Sequence, residues 1–356
     1  MSSNFRSAGV GTPAAAGLYR VAIVGAASLK GKEVAEVLEQ RNFPTADVRL
    51  LDDDETLGQL EAVKDEITFI QSVRAEQFEN VDFTFFASDA ECTLANWKQV
   101  RQAGSAIVDL SYALEAEPGA TVRAPWLERQ LGNVAAPDLQ PGPAVIAHPA
   151  SVVLALLLSR LGTATPVARA IAMVLEPASE HGQRGMDELH QQTVNLLSFQ
   201  PLPKQVFDSQ VAFNMVAQFG QQSQHSLAAV AERIVNHYRK ITGNRAPVPS
   251  VRTFQAPVFH GHAISLHVQL ETGTDVGRIS SILAGEHVSV IAAGDEAPSN
   301  VSAAGQGDIL VSVIPDASSA NSAWIWAASD NLRIAALTAV ECAEALAATR
   351  PRGHIQ

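Results

Sequence analysis

A serine at the start of an apolar helix is the first residue of this chain that could do chemistry. The strand-like run AVIAHP breaks at Pro149 and an apolar helix follows at once, so Ser151 falls at the helix N-cap or in its first turn. A hydroxyl there can cap the helix, or act as a nucleophile if a base held by a third group activates it. The capping role is favoured, because strand-to-helix turns favour serine and no nucleophile-elbow sequence surrounds Ser151.

A small-residue turn near the start of the chain could hold a phosphate. Gly25, Ala26, Ser28 and Gly31 lie in GAASLKG, between an apolar strand and a helix. Glycines in such a turn let the backbone and the helix N-terminus approach a pyrophosphate. Because Ser28 occupies the place of the middle glycine, nucleotide binding is only slightly favoured over a purely structural turn.

Acidic residues follow the second predicted strand. Asp52 and Asp53, continued by Asp54 and Glu55, stand where a carboxylate can accept hydrogen bonds from a ribose 2′-hydroxyl. The same charges would repel a 2′-phosphate. We therefore expect NAD rather than NADP if a nucleotide binds at all, and a solvated acidic turn with no nucleotide is the alternative.

Strands alternate with helices through the first 150 residues. The predicted strands are the runs YRVAIV, VRLLDDD, DFTFFAS, AIVDLS and AVIAHP. Their alternation with helices predicts an α/β fold whose N-terminal part is a Rossmann-like, doubly wound parallel sheet. Polar helices and alternating stretches such as VRTFQAPVFHGHAISLHVQLE then predict an α+β part with a mixed or antiparallel sheet. The last helix is apolar on more than one side, so we expect it to pack on the first domain.

Composition excludes several classes of partner. The net charge of −12 argues against nucleic acid and anionic membranes, which require a basic surface. No run approaches the roughly 20 apolar residues of a membrane span. The two cysteines, Cys92 and Cys342, lie in helix-like segments, so we expect no disulfide and a cytoplasmic location.

The chain resembles the aspartate-β-semialdehyde dehydrogenase family along almost its whole length. The segments that carry the resemblance are VAIVGAASLKGKEVAEVLEQRNFP, GMDELHQQT, APVFHGH and SDNLRIAALTAVECAE. The resemblance implies a Rossmann domain, a second domain with a large dimer interface, and a homodimer. It divides the chain into four parts: a disordered tail (1–18), a dinucleotide-binding domain (19–150), a substrate and dimerisation domain (151–329) and a C-terminal helix that returns to the first domain (330–356).

At the chemical positions the resemblance breaks down. Active members carry N-P-N-C where this chain has AHPAS, and their cysteine attacks the aldehyde, so Ser151 stands at the nucleophile position. A helix N-terminus lowers a thiol pKa enough to form thiolate, but a hydroxyl pKa starts far too high. The family's base corresponds to His262. A triad of Ser151, His262 and Glu176 is conceivable, but it has poor motif support.

Other pocket positions differ as well. The resemblance places Glu176 where the family has an orienting glutamine, and Gln255 where it has the arginine that holds the substrate carboxylate. Glu115 stands at a phosphate-binding arginine, while Arg233 can retain a family cation. Asn331 is implied as a cofactor-binding residue. The loss of two cations and the gain of carboxylate charge would repel aspartyl phosphate. The pattern resembles the Usg-type sister group, which has serine and glutamine at the positions of Ser151 and Gln255.

The expected protein is therefore a degenerate relative of an amino-acid biosynthetic NADP enzyme. A dehydrogenase with altered chemistry and a non-catalytic interaction dimer are the alternatives. We expect no metal site, because His181, His260 and His262 do not match a compact zinc motif.

Overall fold

The computed structural model describes residues 18–53, 60–63, 66–132, 142–243, 245–272 and 275–349. The expected N-terminal tail, except Leu18, lies outside the described residues, as do Asp54 and Glu55 of the acidic turn and residues 350–356. Within the described ranges, no helix is long and apolar enough to cross a membrane.

The N-terminal part is built from short strands and three helices. In chain order these are β1 (Tyr19–Val24), α1 (Leu29–Gln40), β2 (Thr45–Asp52), β3 (Leu60–Val63), β4 (Glu66–Phe69), β5 (Gln71–Ser72), β6 (Phe83–Phe86), α2 (Ala90–Gln102), β7 (Ala106–Asp109), β8 (Thr121–Arg123), α3 (Pro125–Gln130) and β9 (Ala144–Ile146). A short 3₁₀ turn, Ala75–Phe78, precedes β6. Seven strands form a sheet in the order β5-β2-β1-β6-β7-β9-β8, and all of its strand pairs are parallel.

The central strands of this sheet are apolar along their whole length. Every residue of β6 and β7 is buried, as are the last four residues of β1. Continuous burial is typical of parallel strands covered by helices on both faces. The predicted doubly wound sheet is therefore confirmed. Strands β5 and β8 and the hairpin β3–β4 were not predicted, because two to four residues are too few for a readable alternation.

The second part carries a mixed sheet and longer helices. Its elements are α4 (Pro149–Ala164), β10 (Val167–Glu176), α5 (Gly182–Leu197), α6 (Leu227–Thr242), β11 (Ser250–Gln255), β12 (His262–Leu270), α7 (Val276–Leu283), β13 (Val288–Val290), α8 (Asn300–Ala303), β14 (Ile309–Pro315) and β15 (Ser322–Ser329). A 3₁₀ turn, Ala178–His181, follows β10. The six strands pair in the order β11-β10-β12-β15-β14-β13, with both parallel and antiparallel neighbours. The predicted α+β second part is confirmed.

Two hydrophobic cores support these layers. The first core lies around β1, β6 and β7 and includes one face of the last helix, α9 (Asn331–Thr349), through residues such as Ala339 and Cys342. The second core surrounds α4, whose residues from Pro149 to Ser159 are all buried, and the inner face of the mixed sheet. Helix α4 therefore begins where the two cores meet. The domain boundaries expected from the sequence stay a prediction.

The turn between β1 and α1 depends on Gly25. Its φ of +81° is in the left-handed region, and an added Cβ would lie 2.5 Å from the backbone nitrogen of Ser88. Gly31 is equally constrained, because an added Cβ would lie 2.1 Å from the carbonyl oxygen of Gly25. Both glycines let α1 approach the end of β1 closely.

We predict that Gly25→Ala lowers stability more than Gly104→Ala. Gly104 has a similar φ of +84° but no heavy atom within 4 Å of an added Cβ, so it isolates the cost of the left-handed backbone. That cost is about 1–2 kcal/mol, and overpacking against Ser88 adds about 1–3 kcal/mol. Urea unfolding midpoints measure both variants. Equal midpoints would show that the close packing at Gly25 is unimportant.

Candidate functional site

The N-cap of helix α4 is not Ser151, as expected, but the residue three positions before it. His148 is the N-cap, its Nδ1 accepts the N–H of Ala150 at 3.3 Å, and Pro149 is the first helical residue. Ser151 is therefore the third helical residue and does not cap the helix. The prediction failed because proline favours the first helical position, which moves the cap to the residue before it.

The hydroxyl of Ser151 is hydrogen-bonded to the backbone. Ser151 is fully buried, and its Oγ donates to the carbonyl oxygen of Ile234 on α6 at 2.9 Å. A nucleophilic serine must instead share its proton with a base. The described contacts give Ser151 no bond to His262, so the structure does not assemble the conceivable triad.

His262 and Glu176 form a buried pair at the ends of two neighbouring strands. The antiparallel register of β10 and β12 places Leu175 opposite Ala263. Glu176, which follows Leu175, and His262, which precedes Ala263, therefore lie beside each other. His262 Nε2 lies 3.1 Å from Glu176 Oε2, and both side chains are almost completely excluded from solvent. The fold thus brings together the two residues that the resemblance places at the family's base and at its orienting glutamine.

Glu180 and Asn331 complete this cluster. Glu180 lies in the 3₁₀ turn after β10, and its Oε1 is 3.6 Å from His262 Nε2. Asn331 begins α9, where its Nδ2 donates to Glu180 Oε1 at 2.8 Å and its Oδ1 accepts the N–H of Gly261 at 2.9 Å. Asn331 was expected to bind a cofactor, and here it holds the carboxylate cluster in place.

Burial and charge act in opposite directions on these groups. Burial raises the pKa of Glu176, although His262 opposes the shift. Burial also disfavours the charged form of Glu180, but His148, His262 and Lys30 lower its pKa to about 2. Burial would lower the pKa of His262, yet the carboxylates of Glu176 and Glu180 raise it above its ordinary value. The neighbouring carboxylates therefore outweigh burial and shift His262 toward its charged form.

A second ion-pair cluster joins the turn after β7 to α6. Glu115 accepts from Arg233 at 3.1 and 3.3 Å, and its Oε2 lies 3.1 Å from His237 Nε2. Arg233 and His237 are four residues apart on α6, so they share one helix face. Burial raises the pKa of Glu115, but hydrogen bonds from His237 and Arg233 outweigh it and lower the pKa to about 2. The charge of Arg233 is thus matched by Glu115.

Gln255 lies next to Glu176, but its side-chain amide hydrogen-bonds to backbone carbonyl oxygens. Its Nε2 donates to the carbonyl oxygens of Glu176 and Ala256 at 3.0 and 2.9 Å. Its Oε1 is buried and has no hydrogen-bond partner among the described residues. At the position that the resemblance gives to a carboxylate-binding arginine, this chain therefore presents an uncharged, buried side chain.

Several residues at this site were not singled out from the sequence. Tyr112 is the clearest: it is buried, has a φ of +66°, and its ring lies 4.9 Å from Lys30 Nζ and 5.0 Å from the Arg233 guanidinium. The His148 ring stacks on it at 5.8 Å. Tyr112 and His148 follow β7 and β9, so the rule that sites form at the carboxyl ends of parallel strands could have found them.

Hydrogen bonds within the protein hold the predicted nucleotide-binding turn in its conformation. Ser28 caps α1 by accepting the N–H of Gly31 at 3.0 Å, and its hydroxyl donates to the carbonyl oxygen of Ala87 at 2.9 Å. Asp52 accepts the N–H of Ala27 at 2.7 Å with Oδ2, and that of Asp53 at 2.9 Å with Oδ1.

The turn keeps the features that a pyrophosphate needs. Leu29 and Lys30 are the first two residues of α1, whose N–H groups an α-helix leaves without an intrahelical acceptor. The ammonium group of Lys30 donates to the carbonyl oxygen of Leu110 at 3.1 Å. The N–H groups of Gly25 and Ala26, at the carboxyl end of β1, donate to the carbonyl oxygen of Leu51. The start of α1 is therefore the part of the turn that fits a dinucleotide.

Comparison with known proteins identifies the family. Residues 20–141 match the family model "Semialdehyde dehydrogenase, NAD binding domain", and residues 158–334 match "Semialdehyde dehydrogenase, dimerisation domain". The chain therefore belongs to the semialdehyde dehydrogenase family, and its fold and sequence are those of an aspartate-semialdehyde-dehydrogenase-like protein related to the USG-1 homologues.

Individual relatives agree with this assignment. The chain is 32% identical to a "USG-1 protein homolog" of Pseudomonas aeruginosa, covering 92% of this chain and 97% of that protein. It is 28% identical to an "Aspartate-semialdehyde dehydrogenase" of Rickettsia conorii, over 92% of this chain and 97% of the relative. A solved structure of a probable aspartate-semialdehyde dehydrogenase from Pseudomonas aeruginosa superimposes with a TM-score of 0.83 at 29% identity, covering 93% of this chain and 98% of that one.

We predict that Glu115→Gln destabilises the protein in a pH-dependent way. At pH 7 the loss should be about 1–2 kcal/mol, because charge-assisted hydrogen bonds weaken while partial exposure screens the pair. The folded-state pKa of about 2 is below the ordinary 4.5, so the stabilisation is full above 4.5 and disappears as pH falls toward 2. Urea unfolding at pH 7 and pH 3 measures this change.

The control for this variant is Glu39→Gln, on the exposed face of α1. It should shift the midpoint little at either pH. A Glu115→Gln effect that is as large at pH 3 as at pH 7 would contradict the ion-pair explanation.

Proposed function

We propose that this protein is a homodimeric, cytoplasmic member of its family that binds a nicotinamide dinucleotide but does not carry out the phosphorylating oxidation of aspartate semialdehyde. The observation that carries this proposal is the hydrogen bond from Ser151 Oγ to Ile234 at 2.9 Å. At the position that the resemblance gives to the attacking cysteine, the side chain is buried and its proton is held by a backbone carbonyl.

The chemistry of a serine at this position supports the proposal. Attack on an aldehyde needs a thiolate or an activated hydroxyl, and a helix N-terminus alone does not deprotonate serine. His262 Nε2 lies 3.1 Å from Glu176 Oε2, and the hydroxyl of Ser151 donates to Ile234 instead, so the contacts do not place His262 as a base for Ser151. An oxygen nucleophile would also give an ester rather than the thioester that phosphate attacks in the family.

The electrostatics of the pocket support the same conclusion. Glu115 matches the charge of Arg233, and Gln255 contributes no charge where the family has an arginine. Glu176 and Glu180 add two buried carboxylates near His262. Such a pocket repels aspartyl phosphate and favours a neutral or cationic ligand.

A cofactor preference follows from the acidic end of β2. Asp52 is anchored by the N–H groups of Ala27 and Asp53, so its charge is fixed beside the phosphate-binding turn. A 2′-phosphate there would meet that carboxylate, whereas a 2′-hydroxyl could donate to it. We therefore propose NAD over NADP, with Gly25, Ser28 and Gly31 at the pyrophosphate.

The dimer proposal rests on the matched dimerisation domain and on exposed apolar side chains within it. Leu197, Phe199, Phe213 and Met215 are more than half exposed. Large exposed apolar side chains in one region mark protein interfaces more often than solvent-facing surface.

A second candidate function is hydride transfer to a different aldehyde. It is favoured by His262, whose pKa the neighbouring carboxylates raise and whose buried Nδ1 has no hydrogen-bond partner among the described residues. A protonated imidazole could act as the acid for a carbonyl oxygen without any covalent intermediate.

We predict that calorimetric titration at one fixed salt concentration detects micromolar binding of NAD or NADH and weaker binding of NADP and NADPH. Asp52→Asn should reduce this preference by about tenfold, because it removes the charge that repels the 2′-phosphate. Asp47→Asn is the control, since Asp47 lies on the same strand but pairs with Arg49 on the surface. Failure of all four nucleotides to bind would favour the non-catalytic interaction dimer.

We also predict that the purified dimer forms no reduced nucleotide from aspartate semialdehyde and phosphate with either NAD or NADP. Ser151→Ala should leave this result unchanged and lower stability by about 1 kcal/mol through one lost hydrogen bond. Phosphate-dependent turnover by the wild type that Ser151→Ala abolishes would refute the proposed loss of activity.

A further inference from the structure

Four residues at the end of the pocket present metal-ligating atoms to one another. They are His148, Glu176, Glu180 and His262, and one imidazole nitrogen or carboxylate oxygen from each lies within 4.8 Å of the others. His262 Nε2 is 3.1 Å from Glu176 Oε2 and 3.6 Å from Glu180 Oε1. Ligand atoms of a tetrahedral zinc site with bonds of about 2.0 Å are about 3.3 Å apart. These two separations lie on either side of this distance, and all four ligand atoms lie within 4.8 Å of one another.

One carboxylate oxygen of the cluster is buried without a partner. Glu176 Oε1 has no hydrogen bond among the described residues. Glu176 is 1% exposed, so this oxygen does not face bulk solvent. An unsatisfied buried carboxylate oxygen is costly, and a bound cation would satisfy it.

The charges of the cluster match a divalent ion. Two carboxylates and two neutral imidazoles around one divalent cation sum to zero, which is the charge state that a buried site tolerates best. Mixed imidazole and carboxylate ligands suit zinc and related transition metals better than calcium or magnesium, which prefer oxygen alone.

Surrounding contacts hold the Glu180 carboxylate and the backbone of Glu176 in place. Asn331 donates to Glu180 Oε1 at 2.8 Å, and Gln255 Nε2 donates to the backbone oxygen of Glu176 at 3.0 Å. Such outer contacts fix ligand geometry in metal sites. If Nε2 of His148 bound the metal ion, the ring proton would have to be on Nδ1. Nδ1 could then no longer accept the 3.3 Å hydrogen bond from the N–H of Ala150. His148 is therefore the ligand we expect to contribute least.

We propose that His148, Glu176, Glu180 and His262 bind one divalent transition-metal ion per chain, a function separate from nucleotide binding. This departs from the expectation drawn from histidine spacing. The ligands come from the ends of β9, β10 and β12 and from the turn after β10, so no compact motif marks them in the sequence.

Equilibrium dialysis and calorimetry with Zn²⁺ alone test the proposal. The wild type should bind one ion with micromolar affinity, and the variants Glu180→Gln and His262→Gln should weaken binding by about 100-fold or more. His148→Gln should weaken it by about tenfold. His267→Gln is the matched control, because the His267 ring pairs with Asp316 at 2.9 Å in a partly exposed position. The control should leave the affinity unchanged.

Two results would overturn the proposal. One is no Zn²⁺ binding tighter than about 1 mM to the wild type, and the other is full affinity in both Glu180→Gln and His262→Gln. If those variants do not fold, X-ray absorption of the zinc-loaded wild type decides: nitrogen and oxygen ligands that include imidazole support the site, and sulfur ligation or an absence of imidazole rejects it. Nucleotide titration of the same samples is independent, so either proposal can fail alone.

Discussion

The buried pair of His262 and Glu176 is the interaction around which the site is organised. A carboxylate that is 1% exposed must be paired or lose its charge, and removing one partner of a buried pair typically costs about 3–5 kcal/mol. The register of β10 against β12 brings the two side chains together, and the pairing of His262 with Ser329 on β15 brings the start of α9 beside them. One set of strand registers therefore positions the base, both carboxylates and Asn331.

The helix α4 imposes a second constraint. Its N-terminus lies where the two cores meet, and its partial positive charge would stabilise an anion at the first turn. Here the first turn is closed by protein groups: His148 caps it, and Ser151 bonds to α6. The backbone N–H of His148 also donates to His237 Nδ1 at 3.0 Å, which links the turn to Glu115. Groups of the protein itself therefore occupy the first turn, where the partial positive charge of the helix would otherwise stabilise an anion.

The fold class could be predicted from the sequence because the patterns that indicate it lie within continuous stretches of the chain. The apolar strands and the turn at Gly25 are readable from residue types, and they also carried the family resemblance. The site was only partly predictable. Glu176, Gln255 and His262 came from the resemblance, whereas Glu180, Tyr112 and His148 depend on strand order and register. The cap at Ser151 was wrong because the effect of Pro149 on the helix start outweighs the preference of serine for N-caps.

The resemblance places two glutamates at uncharged or cationic positions of the family, and each of them meets a group that the resemblance assigns to the family's own set. Glu176 pairs with His262, expected as the base, and Glu115 pairs with Arg233, expected as a retained cation. On the proposed function, each carboxylate neutralises or engages a group that would otherwise act on substrate. On the proposed function, the change at Ser151 is only one part of a wider electrostatic rearrangement. A cysteine at position 151 alone would meet a His262 paired with Glu176 and an Arg233 paired with Glu115, so restoring the nucleophile would not restore the pocket.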